Sequence, residues 1–216
     1  MKLKTFHFIP FFAFAILFMS FSKETVYAPK LTNTNLATTG LDEIEMKSID
    51  GKAYSIKELK KANGIVLVFS CNTCPFVVGS ETFVGWENQY NQLNEISTNN
   101  QFGFALINSN AAKHTGDDSM EEMIAHAKEK KYTVPYLLDE NAQLADAFEA
   151  KTTPHVFVLN NKMEVVYSGS IDNTIDSKRK KDENYLVEAI QEMNAGKAIS
   201  VPNTAPRGCS IKRISK

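Results

Sequence analysis

Short apolar runs along the chain predict a set of buried strands. Residues 65–69 form a continuous run of β-branched and aromatic residues, which is typical of a central strand covered on both faces. Residues 102–107 and 136–138 repeat this pattern. Two further runs, residues 156–159 and 165–167, are joined by a short polar link and therefore predict a β-hairpin.

Between these runs, apolar residues recur every three or four positions, which predicts amphipathic helices. The longest such stretch predicts one long helix that begins at Pro75. Its apolar positions are Phe83, Trp86, Tyr90, Leu93 and Ile96. Ser119 and Glu122 have the spacing of a capping box and predict the start of another helix, which runs to about Lys131.

The remaining elements complete an α/β pattern. Residues 44–49 alternate as a strand, and short helices are predicted near residues 56–60, 142–150 and 185–193. Strand–helix alternation, then a hairpin and a last helix, indicates an α/β domain with a mixed central sheet flanked by helices. We assign this domain to residues 42–198, between a linker over residues 23–41 and a C-terminal tail over residues 199–216.

The first residues have the pattern of a targeting segment. Lys2 and Lys4 precede an apolar run over residues 6–21, and small serines near its end suit cleavage before Lys23. Residues 1–22 are therefore interpreted as a signal peptide or, if uncleaved, as an N-terminal anchor that would attach the protein to a membrane. In both cases we expect an extracytoplasmic, periplasmic location, where disulfides can form.

Composition excludes several classes of function. The chain has 216 residues, 43% of them hydrophobic, and a formal net charge of -1. Such a chain can bury a core without covalent staples, and it offers no global positive field for nucleic acid. The basic residues 178–181 are followed at once by Asp182 and Glu183, so they are interpreted as a solvated loop.

The candidate chemistry lies in Cys71 and Cys74, between the strand at residues 65–69 and the long predicted helix. The first turn of a helix favours a thiolate, and a two-residue spacer lets one sulfur reach the other. We therefore expect a catalytic dithiol without a cofactor. Cys71, predicted to lie at an exposed lip, is assigned as the nucleophile and Cys74 as the resolving thiol.

Two other interpretations of this pair remain open. A structural disulfide would close so short a loop that it would remove little chain entropy. A metal site would need further ligands, and Cys71, Cys74, Cys209 and His155 are the available set. The usual spacing of a zinc site is missing from the sequence, so the dithiol interpretation is favoured.

Thr153-Pro154 is the second candidate feature, because this dipeptide immediately precedes the first strand of the predicted hairpin. An X–Pro bond is the one place where a cis peptide is cheap, and a proline entering a strand costs a ladder hydrogen bond. The simpler alternative is an ordinary edge-strand proline.

Taken together, several stretches resemble the thioredoxin-like superfamily and, within it, the peroxiredoxin-like proteins of the redoxin branch. These stretches are CNTCPFV, TTPHVFVL, VVYSGSIDN and the terminal GCSIKR. The resemblance implies a thioredoxin-like fold in which Thr153 and Pro154 lie against the sulfurs of Cys71 and Cys74. It also implies that the backbone of Thr153 pairs with a polypeptide substrate and that Pro154 keeps metals away.

The resemblance implies a thiol–disulfide oxidoreductase that acts on disulfide-containing proteins or small thiols and needs an electron donor. Peroxiredoxins place a Thr three residues before the reactive Cys and use a downstream Arg, whereas here Cys71 takes the Thr position. The arginines, Arg179, Arg207 and Arg213, all lie late in the chain. A thiol peroxidase and a copper- or zinc-binding protein of this fold are the alternatives.

Two questions about the site remain for the structure. The strand at residues 65–69 carries no acid to move the proton of the resolving thiol, and Glu81 or Glu87 would have to serve through water. Cys209 is the odd third cysteine. Gly208 precedes it and permits a turn, so we predict that the tail folds back over the Cys71–Cys74 pair and that Cys209 is an internal resolving or relay thiol.

Overall fold

The computed structural model describes residues 40–214. The predicted signal or anchor segment at residues 1–22 and most of the predicted linker lie outside the described residues. Within residues 40–214 no helix has the length and apolar character needed to cross a membrane.

The described part of the chain folds into nine strands and six α-helices. The strands are β1 Met46–Ser48, β2 Ala53–Tyr54, β3 Gly64–Ser70, β4 Phe102–Asn108, β5 Tyr136–Leu138, β6 Thr152–Thr153, β7 His155–Asn160, β8 Val165–Gly169 and β9 Cys209–Ser210. The helices are α1 Ile56–Leu59, α2 Pro75–Val78, α3 Tyr90–Asn99, α4 Met120–Glu129, α5 Gln143–Ala147 and α6 Tyr185–Asn194.

Seven strands of this region form one mixed sheet in the order β2-β1-β5-β4-β3-β7-β8. The pairs β3–β4 and β4–β5 are parallel, whereas β3–β7 and the β7–β8 hairpin are antiparallel. The predicted α/β architecture with a mixed central sheet is confirmed. The sheet brings the carboxyl end of β3, where the cysteine pair begins, next to the amino end of β7, where Thr153-Pro154 ends.

Every residue of β3 and β4 is buried, as the continuous apolar runs predict. Alternate residues of β3 point to opposite faces of the sheet. Val66 and Val68 join an apolar layer with Trp86, whereas Leu67 joins the opposite layer with Phe148. Both faces of the central strands are therefore closed to water, and the chemistry is confined to the strand ends.

The single long helix predicted from Pro75 is wrong. Helix α2 ends at Val78, and α3 begins only at Tyr90, after a 3-10 turn over Trp86–Gln89. Gly79 has a φ of 96°, a conformation that L side chains rarely adopt, and it stops the helix. A Cβ on Gly85 would lie 2.0 Å from the carbonyl oxygen of Val77. Only glycine at this position lets the loop pack so closely against α2.

Ser119 caps α4 by accepting a hydrogen bond from the Glu122 N–H over 3.2 Å. In a capping box the Ser119 N–H would also donate to the Glu122 side chain. Here that N–H donates to the Gly116 carbonyl instead. A full capping box forms instead at Ser55 and Glu58, at the start of α1.

The tail contains a strand that the sequence pattern did not predict. β9 pairs antiparallel with β6, and Thr153 lies opposite Cys209. Further contacts hold the tail on both sides of β9. Thr204 exchanges backbone and side-chain hydrogen bonds with residues 167–170, and the Ile211 N–H donates to the Lys151 carbonyl.

Candidate active site

The cysteine pair lies where the central strand of the sheet meets the first helix after it. β3 ends at Ser70, Cys71 follows at once, and Cys74 is the residue that caps α2. Pro75 is the first residue of α2, as predicted, because a proline there loses no hydrogen bond. The Cys74 carbonyl accepts hydrogen bonds from the N–H groups of Val77 and Val78.

Thr153-Pro154 lies against both sulfurs, and its peptide bond is cis. The Thr153 hydroxyl is 3.1 Å from the Cys71 Sγ, and the Cys74 Sγ is 3.0 Å from the Thr153 carbonyl oxygen. Thr153 therefore contacts both cysteines: its side chain contacts Cys71 and its backbone carbonyl contacts Cys74.

The expected exposed position of Cys71 is wrong. Cys71 is 2% exposed and Cys74 is 4% exposed. Thr153 and the tail strand β9 cover the sulfurs, and neither cover is visible in the local sequence around the pair. A substrate larger than a small solute reaches these sulfurs only when part of the cover moves.

The surroundings of the two sulfurs favour Cys74 as the thiolate. A hydrogen bond from the Cys71 thiol lowers the pKa of Cys74 to about 5, and further bonds from Cys209 and the Phe76 N–H act in the same direction. The same bond to Cys74, together with burial, raises the pKa of Cys71 far above its ordinary value. These directions reverse the predicted order, in which Cys71 was the nucleophile.

One contact opposes this assignment. The Cys74 thiol donates to the Thr153 carbonyl when it is protonated, which favours the neutral form. The donors around Cys74 outnumber this single acceptor, because the Cys209 N–H points at the sulfur over 3.3 Å and the Cys71 thiol also donates to it. The net effect of these contacts is a lowered pKa of Cys74.

Cys209 lies beside Cys74, as the predicted folding-back of the tail requires. Its side chain is half-buried, and burial together with a hydrogen bond to Cys74 raises the pKa of its thiol to about 11. Cys74 therefore interacts with two other cysteines, Cys71 in the same loop and Cys209 in the tail. All three cysteines carry free thiols in this structure.

A buried carboxylate near the site was missed by the sequence reasoning. Asp118 is fully buried and accepts hydrogen bonds from the Asn72 N–H, the Asn108 side chain and the Asn110 side chain, over 2.8, 3.0 and 2.8 Å. Its negative charge is one of the factors that raise the pKa of Cys71. The sequence signal for this site was the run of polar residues 108–110, which begins at the last residue of the buried strand β4.

The acids proposed from the sequence are placed elsewhere. Glu81 is exposed, and the buried carboxylate of Glu87 binds His126 over 2.7 Å and Lys130 over 3.0 Å. These contacts join the start of the α3 region to α4. Asp118 rather than Glu87 is thus the acid that faces the cysteine loop.

His155 is turned away from the sulfurs. Its Nδ1 accepts a hydrogen bond from the Lys151 N–H, and its Nε2 lies 3.2 Å from the Ser168 hydroxyl. Burial lowers the pKa of His155 to about 4. The four-residue metal set considered from the sequence is therefore not assembled, and residues 40–214 contain no group of three or more acidic, His or Cys residues suited to a metal ion.

Each arginine has an acidic partner away from the sulfurs. Arg179 pairs with Asp182 and Arg213 with Asp146, both over 2.6 Å. Arg207 lies 3.8 Å from Asp176. The structure gives no arginine a contact with Cys74 within the described residues.

Comparison with known proteins places these features in a family. The family model described as Redoxin matches residues 26–186. No curated protein sequence matches the chain.

Solved structures show the same fold. An uncharacterized conserved protein from Geobacillus kaustophilus is 26% identical, with a TM-score of 0.71 over 80% of this chain and 89% of that one. A hypothetical protein from Sinorhizobium meliloti is 23% identical, with a TM-score of 0.69 over 80% and 92%. A peroxidoxin from Mycobacterium tuberculosis is 13% identical, with a TM-score of 0.50 over 71% and 92%. The predicted thioredoxin-like fold is confirmed.

Proposed function

Because the chain belongs to the Redoxin family, we propose that it is a thiol–disulfide oxidoreductase that works through Cys71 and Cys74. One observation carries the proposal. Thr153 contacts the sulfurs of both cysteines, so the pair and the dipeptide before β7 form one site. A pair of thiols within reach of each other at a strand-to-helix junction is suited to exchange with a disulfide.

In the proposed reaction the Cys74 thiolate attacks a substrate disulfide. A mixed disulfide forms between Cys74 and one substrate sulfur, and the other substrate sulfur leaves as a thiolate. Cys71 then attacks the Cys74 sulfur and releases the second substrate sulfur. The low pKa of Cys74 suits the first step, and the Thr153 hydroxyl lowers the pKa of Cys71 for the second.

The proposed substrates are disulfide-containing proteins or small thiols. A dithiol reductant outside the protein restores the pair after each cycle in the reducing direction. We place the reaction on the extracytoplasmic side, in the periplasm, because residues 1–22 have the pattern of a signal or anchor segment. Cell fractionation tests this placement, and recovery of the full chain in the cytosol contradicts it.

Insulin reduction tests the chemistry. In the presence of a dithiol, the protein accelerates the precipitation of reduced insulin, and Cys74→Ser abolishes this activity. Cys71→Ser retains the attack, so Cys74 is recovered in a disulfide whose partner is not residue 71, which mass spectrometry detects. Full turnover in Cys74→Ser contradicts the proposal, provided that circular dichroism shows both variants folded.

A thiol peroxidase is the second candidate, and the lowered pKa of Cys74 is the observation that favours it. A peroxide would oxidise the Cys74 thiolate to a sulfenic acid. The Cys71 thiol would then condense with this acid to form a disulfide and water. The ratio of hydrogen peroxide turnover to insulin turnover separates the two candidates. The positions of the three arginines predict that disulfide turnover is the faster activity.

A further inference from the structure

The tail crosses the site as a strand that is fastened on both sides. Before the site, the Thr204 N–H donates to the Ser168 carbonyl, and the Thr204 hydroxyl accepts from the Ser170 N–H. After it, Ile211 is buried and its N–H donates to the Lys151 carbonyl. The position of Cys209 is therefore set by the fold and not by a free chain end.

Gly208 brings this strand closer to the site than any other residue type permits. A Cβ at Gly208 would lie 2.2 Å from the Thr153 carbonyl oxygen and 2.6 Å from the Thr153 carbonyl carbon. Both atoms belong to backbone, which cannot turn aside as a side chain can. The approach places Cys209 directly opposite Thr153 in the β6–β9 pair.

The pairing presents a cysteine of an extended strand to Cys74. The Cys209 N–H donates to the Cys74 sulfur over 3.3 Å, and Cys209 helps to lower the pKa of the Cys74 thiol. Cys71 also interacts with Cys74, and its sulfur contacts the Thr153 hydroxyl over 3.1 Å. Cys74 is thus the central sulfur of three.

We infer that Cys209 is a second disulfide partner of Cys74 and that β9, by pairing with the backbone of Thr153, holds Cys209 in position for this exchange. This inference rests on the proposed function, because it assigns a further residue to the same exchange site.

The step is a thiol–disulfide exchange with a complete balance. The Cys209 thiolate attacks the Cys74 sulfur of a mixed disulfide, the bond from Cys74 to the substrate breaks, and the substrate sulfur leaves with the electron pair and takes up a proton. The Cys74–Cys209 bond forms. Two protein thiols have lost two electrons to the substrate disulfide, and an external dithiol reverses this oxidation.

Packing alone is the competing explanation for Cys209. A small half-buried side chain fills space with either sulfur or oxygen, so a purely structural role predicts that Cys209→Ser leaves the oxidation products of Cys74 unchanged. A resolving role predicts that the fate of Cys74 depends on the sulfur of residue 209.

The test uses the full chain and oxidised glutathione as the probe, with disulfides mapped by peptide mass spectrometry. In Cys71→Ser, Cys74 first forms a mixed disulfide with glutathione. That species converts to a Cys74–Cys209 disulfide at a rate independent of glutathione concentration. Because Cys209 is held beside Cys74, its effective concentration exceeds that of millimolar glutathione, and we expect about tenfold more internal disulfide than mixed disulfide. In Cys71→Ser/Cys209→Ser, the mixed disulfide persists.

Two glycine-to-alanine variants test whether the position of the tail controls the yield of the Cys74–Cys209 disulfide. Gly208→Ala, combined with Cys71→Ser, pushes the strand off Thr153 and lowers the yield of the Cys74–Cys209 disulfide about tenfold. Gly116→Ala adds the same methyl group where the nearest heavy atom is 3.9 Å away, and it leaves the yield unchanged. Equal yields in the two alanine variants overturn the role assigned to β9.

The outcomes separate this inference from the proposed function. If Cys74 forms a mixed disulfide with glutathione but Cys209 stays a free thiol in Cys71→Ser, only the present inference fails. If Cys74 forms no disulfide in any variant that circular dichroism shows to be folded, the proposed function fails as well.

Discussion

The backbone N–H of Cys209 donates to the sulfur of Cys74 across 3.3 Å, although 135 positions of sequence separate the two residues. A thiolate at Cys74 is stabilised by this bond, so the tail contributes to the electrostatics of the site as well as to its cover. The reactivity of Cys74 therefore depends on a segment that a local motif search would leave out.

The first prediction concerns the pH dependence of Cys74 alkylation. Since its pKa is lowered to about 5, its reaction with iodoacetamide is constant at neutral pH and falls as the pH drops through 5. Cys71→Ala removes the largest cause of the shift and moves the midpoint up toward 9.0, whereas Cys71→Ser keeps a donor and moves it less. Peptide mass spectrometry follows each cysteine separately, and a wild-type midpoint near 9.0 would falsify the assignment of Cys74 as the thiolate.

The second prediction tests the Thr153 hydroxyl. Its hydrogen bond lowers the pKa of Cys71, so Thr153→Val raises that pKa and slows the release of substrate from Cys74 by about tenfold. Thr153→Ser retains a hydroxyl and recovers the rate. Single-turnover release from a preformed mixed disulfide measures the step. Equal rates in the Val and Ser variants would mean that the hydroxyl has no part in it.

The third prediction concerns the buried carboxylate of Asp172, which accepts from the Trp86 indole N–H over 2.6 Å and from Gln89 over 2.8 Å. Asp172→Ala leaves buried donors without a partner and lowers the free energy of unfolding by about 3 kcal/mol. Asp182→Ala, which removes an exposed pair with Arg179, lowers it by less than about 1 kcal/mol. Trp86 is the single tryptophan, so its fluorescence reports urea unfolding. A similar loss in both variants contradicts the prediction.

The fourth prediction is an acid-sensitive stability that comes from His155. Burial lowers its pKa from 6.5 to about 4, so the unfolded chain binds this proton more tightly. The stability linked to neutral His155 is complete above pH 6.5 and is lost as the pH falls through 4, a change of about 3 kcal/mol. Urea unfolding of the wild type and of His155→Gln at several pH values measures it. Parallel pH profiles for the two proteins would rule out His155 as the source.

Much of the fold was predictable because it depends on local pattern. The central strands β3 and β4 are continuous apolar runs, and the β7–β8 hairpin follows from two runs around a polar turn. The helix after the cysteines was predicted as one piece because aromatic residues recur at helical spacing through the loop. Gly79 and Gly85 break it, and their effect depends on backbone contacts that spacing does not encode.

The site was less predictable because its chemistry depends on distant segments. Cys71, Cys74 and the Thr153-Pro154 dipeptide could be found by their spacing and their place at strand ends. The order of the two pKa values could not, because it depends on the direction of the hydrogen bond between the two thiols, on their burial and on donors from the tail. Long-range pairing such as Cys209 with Thr153 has no periodicity to reveal it.

The fastening of the tail on both sides of Cys209 bears on how fast the protein can work. A cover held by backbone hydrogen bonds at Thr204 and Ile211 opens as a unit, through local unfolding, and not by the swing of a single side chain. For a protein-sized substrate, the frequency of that opening sets a ceiling on turnover, however reactive the sulfur beneath it is. We expect turnover of such substrates to rise with temperature as steeply as the exchange of the Ile211 amide hydrogen.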